Sequence, residues 1–162
     1  MESYAGVDWT GFVPSEHAVL LFTRTAGRLL LIHKKRGLGA GKISAPGGRI
    51  EPGERPVDAA IRETKEELGV TPSDPHECAL LDFAFRDGFA LRVTVFLAAS
   101  YTGTPRETDE AIPLWTSEDD IPYDEMWDDD RVWLPLVLSG RYVRGRFEFD
   151  ADTMVSSAID VR

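Results

Sequence analysis

The run of apolar and polar positions predicts a mixed domain with one strong helix. Ala18 to Thr23 and Arg28 to His33 are apolar, β-capable stretches separated by Thr25-Ala26-Gly27, the pattern of a hairpin. A glycine-dense loop then runs from Gly37 to Gly53, with Pro46 and Pro52 inside it. Arg55 to Leu68 has helical periodicity: Pro56 suits a first turn, Gly69 stops the helix, and Val57, Ile61, Thr64 and Leu68 recur at the spacing of a buried stripe. Leu80 to Arg86 and Phe89 to Tyr101 flank Asp87-Gly88, a second hairpin turn. Residues 102–130 read as loop-rich and acidic. A short helix is expected from about Asp129, carrying Trp133, Leu136 and Val137 on one side, with Pro135 tolerated because it lies near the start. Tyr142 to Phe149 and Thr153 to Val161 form a last strand pair. The fold class is α+β, with residues 18–162 as one domain after an N-terminal extension, 1–17. No internal repeat or low-complexity tract is visible.

Composition excludes several classes. The chain has 162 residues, of which 43% are hydrophobic and 28% charged, ordinary for a globular domain. No apolar run approaches the ~18–20 residues a membrane span needs. The N-terminus shows no basic stretch followed by an apolar one, and Cys78 stands alone, so a cytoplasmic protein is expected. The net charge is −10 and is unevenly spread: residues 1–50 carry 7 basic and 3 acidic groups, residues 51–130 carry 6 and 21. Such a middle segment disfavours a nucleic-acid polymer and calls for a solvated face or a cation site.

The predicted helix carries Glu63, Glu66 and Glu67 on one arc, roughly opposite the Val57/Ile61/Leu68 stripe. Like charges at these spacings destabilise a bare helix by ~0.2–0.5 kcal/mol per pair. A hard divalent cation reverses that sign, because it requires several oxygen ligands. Arg62, one turn before Glu66, is placed to orient it. Two other motifs do not hold up. Gly37 to Lys42 resembles a phosphate loop, but Gly41-Lys42 is followed by Ile43 and no helix opens there. His17, His33 and His76 have no zinc spacing, and Cys78 reads as a buried filler.

Gly48, Glu54, Arg62, Glu63, Glu66, Glu67 and Gly69 fill all seven fixed positions of the pattern G-x5-E-x7-R-E-U-x-E-E-x-G-U, with U apolar; Val70 fills the second U and Thr64 is a mild departure at the first. On these residues the chain resembles the Nudix hydrolases. The resemblance implies an α/β/α sandwich around a mixed sheet and hydrolysis of a nucleoside diphosphate linked to another group. It also implies that Glu63 and Glu67 bind Mg²⁺ (Mn²⁺ being a possible substitute), that the Gly48 carbonyl contributes, and that Glu66 assists metal or water. A metal-bound pyrophosphate link suits this chemistry, since cations neutralise it and ready a water for attack.

The likeness extends from about Ala18 to Phe149. Lys34 to Lys42, Gly103-Thr104-Pro105, Asp109-Glu110, Trp115, Ile121 to Asp130 and Trp133-Leu134-Pro135-Leu136 resemble the oxidised-purine branch of the family, the 8-oxo-dGTP diphosphatases. That similarity implies that Trp127 stacks on a purine, that Asp129 and Asp130 bond its edge, that Glu110 adds a carboxylate to the metal site and that Lys34 lies near the substrate. It also implies a small-molecule nucleotide substrate and a monomeric enzyme acting in nucleotide-pool sanitisation. Independently, a flat base needs an apolar wall, which Phe83 and Phe85 on one side of their strand supply together with Trp127. Adjacent carboxyls offer acceptors to a donor-rich purine edge, and one of two neighbours retaining a proton becomes a donor. Either aspartate is also a candidate helix N-cap. Trp115 and Trp133 are expected in the core. Ile43-Ser44-Ala45-Pro46 departs from the relative's Trp-Asn-Gly-Phe, so Ser44 offers one hydroxyl where an amide made two bonds, and Leu38 replaces an aromatic. A lost polar contact shifts base discrimination by ~1–3 kcal/mol, so the general class, purine nucleoside triphosphate, is firmer than 8-oxo-dGTP itself. The alternatives are a nucleotide-sugar or pyrimidine-triphosphate hydrolase, or a silent nucleotide-binding domain.

Overall fold

The structure, a computed structural model, describes residues 6–162. Strands β1 (Glu16–Thr25) and β2 (Arg28–Lys34) form the expected hairpin, with Ala26 and Gly27 both at positive φ in the turn. The glycine-dense loop contains two short strands that its composition hides, β3 (Ile43–Ser44) and β4 (Gly47–Arg49). Helix α1 (Pro56–Leu68) ends on Gly69, whose φ of 76° closes the last turn through its N–H to the Lys65 carbonyl. There follow β5 (Thr71–Ser73), β6 (His76–Phe85), β7 (Ala90–Ala98), β8 (Ser100–Thr102), β9 (Ala111–Ser117), α2 (Asp130–Leu138), β10 (Val143–Asp150) and β11 (Thr153–Val161).

Among the described residues the main sheet runs β11-β10-β6-β7-β1-β2-β3, with β4 paired to β1 and β9 to β2. β1/β7 and β6/β10 are parallel, the other pairs antiparallel, so the sheet is mixed. Strands buried on both faces lose polar alternation, and Leu29 to Ile32 on β2 shows why. Leu29 and Leu31 face a core with Trp133, Leu134 and Val137 of α2, while Leu30 and Ile32 face Leu68 and Val70 at the end of α1. Helices therefore cover both faces, as the α/β/α sandwich requires. Trp133 is fully buried. Trp115 is only partly buried, beside Tyr101 and beneath the Arg28 guanidinium.

The structure adds to or departs from the sequence pattern at three places. Residues 102–130 are not all loop: β9 lies there, and Pro113 within it is accommodated because β9 pairs on one side only, to β2. The inward face of α1 is Ala59, Ala60, Thr64, Glu67 and Leu68, with Val57 and Ile61 only partly buried. Small residues win there because α1 packs against Val19, Leu21 and Phe96 of the sheet. Pro135 sits mid-helix in α2, not at its start, and removes the bond to the Arg131 carbonyl.

Candidate active site

The Gly47-Gly48 pair sets the geometry. β4 runs antiparallel to β1 with Gly48 opposite Val19. A Cβ on Gly47 would lie 2.0 Å from the Val19 carbonyl oxygen, and one on Gly48 would lie 2.5–2.7 Å from the Glu63 carboxylate atoms. Bare Gly47 thus lets the loop lie against β1, and bare Gly48 lets it press onto the acidic arc of helix α1. The Gly47 N–H donates to Glu67 Oε2 at 3.2 Å.

Glu63, Glu67 and Glu110 come together, each offering a carboxylate oxygen within 4.8 Å of the others. Two come from adjacent turns of α1, the third from the approach to β9. Glu67 is buried, and burial, reinforced by Glu63 and Glu110, raises its pKa to about 8 against the opposing Gly47 bond. Burial also raises the Glu63 pKa, with Arg62 pulling the other way. A cluster that ionises so reluctantly is short of positive charge, and its all-oxygen donor set fits a hard divalent cation. Glu66 is not in this cluster: its side chain is 52% exposed. The inward turn of the helix at Glu67 separates the two neighbours.

Arg62 was expected to orient Glu66, but that contact is long, 3.4 Å. Its principal partner is Glu54, through Nε at 2.8 Å and Nη2 at 2.9 Å, a forked pair that holds the Glu54 pKa down to about 2. Arg62 also donates to Glu63 at 2.8 Å and to the Arg49 carbonyl at 3.1 Å. It is a staple between the loop and the helix. Thr64, at the apolar position, is buried with its hydroxyl donating to the Ala60 carbonyl.

One cavity of about 460 Å³ joins this cluster to the residues expected at a base. Gly47, Gly48 and Glu67 line one part of it; Trp127, Phe83 and Phe85 form aromatic wall; Ser44, Asp129 and Asp130 contribute polar groups. Lys34 and Leu38 stand at the glycine loop, Lys34 Nζ donating to the Leu38 carbonyl at 2.6 Å. Asp129 occupies the N-cap position of α2 but makes no capping bond; its Oδ2 accepts the Trp133 indole N–H at 2.7 Å. Asp129 and Asp130 are both buried, and burial raises both pKa values, Asp130 further because Asp129 adds its charge. Burial and the neighbouring Asp129 charge together favour the protonated form of Asp130.

Pairings invisible in the sequence also appear. Arg36 meets Glu110 at 3.1 Å and Lys35 meets Glu107 at 2.6 Å, so neither is a free cation. Lys42 lies over Trp127, and Asp128 Oδ2 accepts the Met154 N–H at 2.9 Å. Only tertiary folding brings these partners together, and no spacing announces them. Cys78 is buried as expected. No helix among the described residues is long and apolar enough to cross a membrane.

The chain is 39% identical over 148 residues to the oxidized purine nucleoside triphosphate hydrolase of Danio rerio, covering 90% of this chain and 95% of that one. The protein of the same name from Mus musculus is 39% identical over 134 residues, 82% and 86% of the two chains. The crystal structure of a MutT protein from Bacillus halodurans superposes with a TM-score of 0.80 at 23% identity, over 90% of this chain and 97% of the other, a likeness of fold. Residues 14–137 match the NUDIX domain family, and their acidic helix, glycine pair and mixed sheet place the chain within it: this protein belongs to the Nudix family.

Proposed function

We propose that this protein hydrolyses oxidised purine nucleoside triphosphates, 8-oxo-dGTP among them, to the monophosphate and pyrophosphate, and so cleanses the nucleotide pool. The observation that carries the reading is the single cavity running from Trp127, Asp129 and Asp130 to Glu67. The relatives named for that activity support it.

Glu63, Glu67, Glu110 and the Gly48 carbonyl would hold Mg²⁺, for which Mn²⁺ can substitute. When bound, the ion neutralises phosphate charge and lowers the pKa of a coordinated water. The remaining chemistry belongs to side chains. Trp127 stacks on the purine while Phe83 and Phe85 exclude water from it. Asp129, as acceptor, and Asp130, as proton-bearing donor, read the base edge, and an oxidised guanine offers an N–H where guanine offers only an acceptor. Ser44 adds one hydroxyl. Lys34 draws in the phosphates. A carboxylate, Glu66 or one outside the helix, accepts the proton of the attacking water, and Arg62 fixes Glu63 and Glu54. Every residue given a role above comes from one chain, which suits a monomer, and the lone Cys78 suits a cytoplasmic setting.

The test is a nucleotide panel scored by product. Pyrophosphate plus monophosphate from oxidised purine triphosphates is expected, with Glu67→Gln reducing Mg²⁺-dependent release at least about 100-fold. Sugar phosphate plus monophosphate from nucleotide sugars, or unchanged turnover by the variant, overturns the reading. Ser44, one hydroxyl at the cavity wall, keeps a second reading in play, a different preferred nucleotide, which the same panel resolves.

A further inference from the structure

Lys42 has no part in the chemistry above, yet its ammonium lies over the proposed base platform. Its Nζ lies 5.1 Å from the centroid of the Trp127 ring. Trp127 lines the cavity and Lys42 does not, so the ammonium sits on the indole outside the space a base would fill. Its backbone is fixed at both ends: the Lys42 N–H donates to the Gly39 carbonyl at 2.9 Å, and its carbonyl accepts from the Lys34 N–H at 3.0 Å. Its side chain, 26% exposed, reaches Asp152 Oδ2 at 3.4 Å in the β10–β11 turn. The same hairpin steadies the Trp127 loop through the Met154–Asp128 bond. On another side Gly39 approaches so closely that a Cβ there would lie 2.7 Å from the indole Nε1.

We propose that Lys42 is a positioning residue for Trp127 that also tunes it for electron-rich purines; the idea rests on the function proposed above. A cation over an indole is attracted by the ring's negative face and draws π density toward itself. The face left to the cavity becomes less negative, and stacks better against a base that is itself rich in electrons. An oxidised purine carrying an added oxygen and N–H is such a base. The Asp152 carboxylate holds the ammonium in place, so that the order of the ring depends on the chain's last hairpin.

The experiment compares Lys42→Met, which keeps the stem without the charge, with Lys42→Arg, which keeps the charge. In Lys42→Met the KM for 8-oxo-dGTP is expected to rise about 3- to 10-fold with kcat within about twofold. The rise should be smaller for unmodified dGTP, pyrophosphate inhibition should be unchanged, and Lys42→Arg should restore KM. In a Trp127→Leu background Lys42→Met should add nothing. A loss of pyrophosphate inhibition matching the KM change would put Lys42 on the phosphates and overturn the proposal. So would an unaltered KM, or an effect undiminished without Trp127. Should the wild type turn over no purine triphosphate, the functional reading falls, and titration with 8-oxo-dGMP and dGMP still decides the role of Lys42. Weakened binding of the oxidised base that depends on Trp127 upholds it; equal affinity in both proteins overturns it.

Discussion

Replacing Gly48 with alanine separates folding from chemistry. The added Cβ would stand 2.5 Å from the Glu63 carboxyl carbon, and an ordinary contact begins near 3.4 Å, so that carboxylate must retreat by about 0.9 Å. The three nearest obstructing atoms all belong to the end of the Glu63 side chain, whose bond from Arg62 must shift with it, and Gly48 has no positive φ to defend. Stability should therefore fall by no more than about 1 kcal/mol, a melting shift of about 2–4 °C at this size. A displacement near 1 Å at the group proposed to hold the metal is expected to lower kcat/KM about 100-fold. Gly47→Ala is the control. Its Cβ would strike the Val19 backbone oxygen at 2.0 Å, so the β1–β4 ladder itself must part, and the melting temperature should drop steeply. Thermal melts, Mn²⁺ titration and pyrophosphate release together read all three quantities. Gly48→Ala with wild-type turnover, or with a melt as depressed as that of Gly47→Ala, would refute the reasoning.

Two further outcomes are expected. Burial raises the Asp129 pKa from 3.8 to about 6 and that of Asp130 upward too, so both favour the folded state fully below pH 3.8 and lose that contribution as pH rises through their folded values. Asp130→Asn should accordingly gain stability relative to wild type more at pH 7.5 than at pH 4.5 in paired urea titrations, and should alter preference among purine nucleotides more than metal affinity; equal differences at both pH values count against the buried pair. Asp82, 1% exposed, accepts from both Arg92 and Arg144. Their charges hold its pKa down against burial, so Asp82→Asn should destabilise by about 2 kcal/mol near neutrality, discounted because Arg92 is partly exposed, and the deficit should shrink as pH falls below 3.8.

The α1 site was legible because its spacing is local. Glu63 and Glu67 share a helix, so their approach follows from the helical repeat, and Gly69 and Pro56 mark its ends. Which acid turns inward was not, since the inner face is chosen by the small Ala59 and Ala60 packing on the sheet and not by the larger Val57 and Ile61. Glu110 entered only through resemblance, because a strand far along the chain delivers it. β9 escaped notice for want of clean alternation: Pro113 interrupts it, and Ile112 and Leu114 remain partly exposed apolar residues on an edge. The ties among Lys42, Trp127, Asp128 and the last hairpin have no sequence signal at all.

That last hairpin ties the Trp127 loop to the C-terminal part of the chain. β10 inserts between β6 and β11, and β11 supplies the N–H that Asp128 accepts. Strands through β9 and helix α1 already hold every member of the acidic cluster, but a ribosome must add the chain through Met154 before the indole loop acquires its anchor. A nascent chain halted before β10 would contain Glu63, Glu67 and Glu110 but neither the anchor of the Trp127 loop nor the core residues Val143, Phe147 and Phe149. The anchoring of the Trp127 loop is thus completed only by the last part of the chain to emerge, β10 and β11, which lie beyond the residues that match the family.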